Sequence, residues 1–255
     1  MKKQFLLITI AVLTSAFQLP IDTPTVESIN ARYFHILPSD KNILTVDVRL
    51  DEFKTSIAQI SAKLLSNGEK LAAKQFANLY AKVTYNKSAD SIRVDLSPFT
   101  LNEKSPLYKS TEQFTSGYKK TVKGSFQTIK STIMNAIING YVSKPKIEIQ
   151  QDKVIVHVDK NGSKELYTFS NNFRDIKLLA SSKAAAINAT MTTTKMQDKI
   201  LISTFDFVSK QANATLKFTY ATNTKTIVLK QLHTDSEVAS KKHKFTFQFS
   251  NWVFK

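Results

Sequence analysis

Leu216, Phe218 and Tyr220 alternate with Lys217 and Thr219, and Phe245, Phe247 and Phe249 alternate with Thr246 and Gln248. A side-chain period of two belongs to a strand with one face buried and the other in water. Ile200 to Val208 and Thr226 to Leu232 carry the same pattern or a β-branched enrichment. Short polar turns join these runs, and parallel pairing would need crossover helices between them. The C-terminal part therefore reads as an antiparallel meander that buries one face. With only 5 glycines and 6 prolines in 255 residues, its turns must rely on Asn, Asp, Ser and Lys.

Upstream, Tyr33 to Ile36 and Ile43 to Val48 flank Pro38-Ser39-Asp40 as a hairpin, and Val83 to Tyr85 with Ile92 to Val94 form a second. Ile147 to Ile149, Val154 to Val158 and Leu166 to Phe169 predict further strands. Phe53, Ile57, Ile60, Leu64 and Leu71 recur at helical spacing, predicting helix from Asp51 to about Tyr80 with a break at Asn67-Gly68. The strongest helical stripe is Phe114, Tyr118, Val122, Phe126, Ile129, Ile133 and Ile137. Phe173 to Ala189 is ambiguous, with helix favoured around Lys183 to Ala186.

The expected fold class is thus α+β, a curved antiparallel sheet covered by long amphipathic helices. Ser97 to Ser110 lacks periodicity and contains Pro98 and Pro106, so it marks a boundary. The expected organisation is a signal peptide over 1–16, an N-terminal α+β half over 17–105, and a C-terminal half over 106–255 with the long helix followed by the sheet.

The signal peptide rests on Lys2 and Lys3, the apolar run Phe5 to Leu13, and the small residues Thr14, Ser15 and Ala16. That run is shorter than the roughly 20 residues of a spanning helix. The expectation is a secreted or periplasmic chain with no transmembrane segment after cleavage. It contains no cysteine, which excludes disulfides, thiol catalysis and thiolate metal sites.

A formal net charge of +16 creates a long-range positive potential that favours an anionic partner. Nucleic acid is not the expected one, because an exported chain seldom meets it and the lysines are scattered. Acidic lipids, cell-wall polymers or acidic glycans suit the compartment better.

Little local chemistry is written in the chain. His35, His157, His233 and His243 show no metal-ligand spacing, and no zinc, nucleophile-elbow, phosphate-loop or dinucleotide motif occurs. His157 and Asp159 share a strand face, but no nucleophile signature accompanies them. No catalytic residue, metal site or cofactor is expected. Asn86, Asn161, Asn188 and Asn213 lie in glycosylation sequons, whose frequency matches chance in a chain so rich in Asn, Ser and Thr.

In the order of its elements the chain resembles the cone-shaped NTF2-like domains and the periplasmic lipoprotein-carrier fold. The terminal run Phe245 to Asn251 is similar to carrier-type C-terminal strands. This likeness implies shape and an apolar pocket between helix and sheet. The expected function is that of an exported, non-catalytic binding protein holding an apolar or amphipathic, lipid-like ligand there. Phe114, Tyr118, Phe126, Phe218, Tyr220 and Phe247 are its candidate lining, and Lys119, Lys120, Lys123 and Lys130 its candidate contacts to an anionic partner. The alternative is a secreted interaction module using a basic surface to engage an acidic polymer or protein.

Overall fold

A computed structural model describes residues 24–52, 78–98, 108–182, 186–210, 212–223, 226–238 and 240–255. These build one twelve-stranded antiparallel sheet with strand order β3-β2-β1-β12-β11-β10-β9-β8-β7-β6-β5-β4. Its strands are β1 (Ile43–Leu50), β2 (Ala81–Asn86), β3 (Ser91–Leu96), β4 (Lys146–Gln150), β5 (Lys153–Lys160) and β6 (Ser163–Ser170), then β7 (Asp175–Ser182), β8 (Ala186–Met196), β9 (Lys199–Ser209), β10 (Ala212–Asn223), β11 (Thr226–Val238) and β12 (Lys241–Phe254). From β4 to β12 it is an unbroken meander, each strand pairing with its chain neighbour. The early strand β1 then joins the far edge of β12, with Leu50 opposite Phe247 and Val48 opposite Phe249.

Alternation decides which face is inside. Val156, Tyr167, Leu178, Ala189 and Phe207 are cross-strand neighbours on the inner face, as are Phe218, Leu232, Phe247 and Leu50. Ala189 and Phe207 apart, these side chains belong to one continuous apolar cluster or, for Leu178, pack against it. Burying a side chain such as Phe247, which is fully covered, contributes about 1.5–3 kcal/mol. No polar or charged residue is fully buried among the described residues.

The inner face is closed by irregular chain and one long helix. Helix α1 (Val26–Asn30) is capped by Thr25, whose hydroxyl accepts from the Ser28 amide at 3.1 Å. The Asn30 side chain then donates to the Ile138 carbonyl at 2.9 Å and accepts from the Ile138 amide at 3.0 Å. Helix α2 (Tyr108–Ile129) continues into a π-helical turn, Lys130–Met134. Tyr118, Val122, Phe126, Ile129 and Ile133 all point into the core. The orphan Ile133 carbonyl at the helix end accepts from the Ile36 amide at 3.1 Å.

The expected fold class is corrected by this arrangement. The described chain is predominantly sheet with one long helix, not an α+β sheet covered by long helices. The shape likeness to NTF2-like domains and lipoprotein carriers falls with it. Most of the predicted helix from Asp51 to Tyr80 lies outside the described residues, and the long stripe ends early, so Ile137 is buried beyond the helix. The stretch from Phe173 to Ala189 holds no described helix: Phe173 and Arg174 end the β6–β7 turn, Asp175–Ser182 and the residues from Ala186 on are strand, and Lys183, Ala184 and Ala185 lie outside the described residues. Tyr33 to Ile36 forms no hairpin with β1: Tyr33 makes an isolated bridge to Ile200 while its side chain enters the core. The boundary around Ser97 to Ser110 and the signal segment fall largely or wholly outside the described residues.

Candidate functional site

The six aromatics expected to line a pocket are mostly core. Phe126, Phe247, Tyr118, Phe218 and Tyr220 are buried in the single apolar cluster, and Phe114 packs half-buried against it. Phe114 and Tyr118 share a hollow, a cleft of about 270 Å³ beside Leu50, Glu52, Thr121 and Phe245.

Buried tyrosines hold this interior by their hydroxyls. Tyr118 donates to the Val48 carbonyl at 3.1 Å, tying α2 to β1, and Tyr220 donates to the Ile202 carbonyl at 2.7 Å. Burial pushes the Tyr118 hydroxyl up to about 12 and raises that of Tyr220 as well, so both stay neutral donors. The Tyr167 hydroxyl lies 2.7 Å from Glu165 Oε2 and 3.1 Å from the Ile137 carbonyl. Its single proton suits the carboxylate, which also pairs with Lys160 at 2.8 Å. These are packing tethers, each with its partner accounted for.

The four candidate lysines divide. Lys119, Lys120 and Lys123 are exposed on the outer side of α2 and make no ion pair among the described residues. Their spacing places them within about a third of the helix circumference. Lys130 is different: its ammonium pairs with Asp90 in the β2–β3 turn and lies 5.6 Å from the centroid of the Tyr85 ring. Lys130 holds the Asp90 carboxyl below its usual range, and the Tyr85 hydroxyl donates to the same carboxylate at 3.3 Å. It docks the helix end onto the sheet.

The outer face of β5 to β9 carries a feature that strand-by-strand inspection of the sequence does not reveal. Register aligns His157, Leu166, Leu179, Asn188 and Val208 in one row across five strands. They form the floor of an open trough of about 800 Å³, flanked by Lys144, Lys146, Lys164 and Lys210. Leu179 is 50 % and Val208 59 % exposed, although the outward positions beside them are polar. A signal for it does exist: each stands where the alternation requires a polar residue, Leu179 between Lys177 and Ser181, Val208 between Asp206 and Lys210. His157 and Asp159 both border the trough, yet the partner of His157 Nε2 is Glu148 across the strand pair, at 3.4 Å.

Comparison with known protein families, curated proteins and solved structures finds no match. Among the described residues no helix is long and apolar enough to cross a membrane.

Proposed function

We propose that this chain is a non-catalytic interaction module, working outside the cytosol, that engages an acidic polymer or protein through its basic surface. One observation carries the reading: α2 is locked into the core by Tyr118, Val122 and Phe126 while Lys119, Lys120 and Lys123 stand exposed and unpaired among the described residues. Because the helix that carries them is already packed into the core, meeting a row of anions orders only the lysine side chains and not the backbone. The charge surplus of the chain adds steering toward such a partner. The aromatic interior, by contrast, is taken up with its own packing and hydrogen bonds.

The test is a binding titration with heparin as the probe polyanion. The unmodified chain should bind, and its affinity should fall as salt is raised past the level where screening reaches about 8–10 Å. The combined variant Lys119→Glu, Lys120→Glu and Lys123→Glu should bind at least about tenfold more weakly. Equal affinity of the two, or binding indifferent to salt, would refute the reading.

A further inference from the structure

We infer that the trough on the outer face of β5 to β9 is a second binding site, one that accepts an extended, acidic, amphipathic peptide segment of a partner protein. Three of the five side chains in its floor, Leu166, Leu179 and Val208, are apolar where a water-facing sheet surface is ordinarily polar. Leu166, Leu179 and Val208 come from three different strands and reach the same row only through the register. Exposed apolar side chains that converge in a concavity mark a contact surface.

Charge selects the occupant. Four lysines line the trough against two carboxylates, Asp159 and Glu165, and Glu165 is already matched by Lys160. Lys146 pairs with Glu148 at 2.9 Å. Lys144, Lys164 and Lys210 make no ion pair among the described residues, although Lys164 lies in register with Asp159. The complement of an apolar strip edged by free ammonium groups is an apolar strip edged by carboxylates.

Shape argues for a single extended chain. Five strands span about 19 Å at the usual interstrand spacing, the length of about six extended residues. Side chains of an extended peptide alternate, so one edge meets Leu166, Leu179 and Val208 while the other offers carboxylates to Lys164 and Lys210.

Fluorescence anisotropy with a labelled peptide alternating leucine and glutamate, of about the six-residue length fixed by the trough, tests this. The full chain should bind it, and should not bind the same peptide with lysine for glutamate or serine for leucine. Leu179→Asp should weaken binding at least about tenfold, and so should the paired change Lys164→Glu with Lys210→Glu. All these side chains face solvent, so circular dichroism should show an intact fold. At physiological salt, where distant surface charges are screened, the triple α2 lysine variant should bind the peptide within about threefold of the unmodified chain, which separates this site from the heparin reading. No binding, equal binding of the lysine peptide, an unaffected Leu179→Asp, or binding only to vesicles containing phosphatidylserine would overturn the assignment.

Discussion

The Tyr33 hydroxyl donates a hydrogen bond of 2.9 Å to the carbonyl of Phe173, a residue 140 positions away. Phe173 adopts φ 56°, a left-handed conformation that is rare for a bulky side chain. Its carbonyl is held by Tyr33, its amide donates to the Ser170 carbonyl at 2.8 Å, and its ring sits 4.4 Å beneath the Arg32 guanidinium. These contacts offset a backbone cost of about 1–3 kcal/mol and fasten the β6–β7 turn to the segment after α1.

Tyr33→Phe should therefore destabilise the chain by about 1–3 kcal/mol, because it leaves a buried carbonyl without its donor. Urea denaturation measures this as a lower midpoint at unchanged slope. A midpoint equal to that of the unmodified chain would mean the bond contributes nothing.

How far the sequence reaches is visible in these same elements. Leu216, Phe218 and Tyr220, and Phe245, Phe247 and Phe249, announce strands because each buries one face and the signal is local. The β7 region hides its nature: Leu178 and Leu179 are adjacent, one inward and one outward, which erases the alternation. The union of β1 with β12 is written nowhere locally, since it joins segments some two hundred residues apart. The trough is half hidden for the same reason: Leu179 and Val208 each interrupt the polar side of their own strand, but only register brings them together with His157 and Leu166. The Lys119, Lys120 and Lys123 row is legible because a helical face follows from spacing alone.

Gly117→Ala and Gly124→Ala should each stabilise the protein. Both glycines lie on the exposed side of α2, and among the described residues no atom beyond the adjoining residues and backbone of the helix itself stands within 4 Å of the place a methyl would take at either position. Removing a helix-interior glycine is worth about 1 kcal/mol, or a rise of about 2–4 °C in Tm for a chain of this size. Calorimetry of the two variants would show it, and a fall in Tm would reveal a contact that needs the missing side chain.

His35 makes stability depend on pH. Desolvation lowers its pKa below the ordinary imidazole value, opposed by the backbone carbonyls of Asn30 and Asn135, and the Lys199 charge lowers it further. The unfolded chain therefore binds the proton first as pH falls below about 6.5, so stability is full above that value and declines beneath it. His35→Gln should flatten the decline in that window while leaving the loss at carboxylate pH unchanged. An identical pH profile for the variant would exclude His35 as its source.

Lys130 should behave unlike its neighbours on α2. Lys130→Ala removes the partner of Asp90 and the contact with Tyr85, which should lower stability only slightly because Asp90 is exposed to water and salt. Heparin affinity should stay within about twofold of the unmodified chain. Should it drop as far as in the triple lysine variant, Lys130 would belong to the binding surface.

Native mass spectrometry of the purified full chain speaks most directly to the claim that the aromatic interior is packing and the binding capacity lies outside. The expected spectrum shows the bare polypeptide mass, with heparin adding to it and the α2 lysine variant failing to retain the polymer. A stoichiometric apolar adduct carried through purification and released by organic extraction would contradict that account.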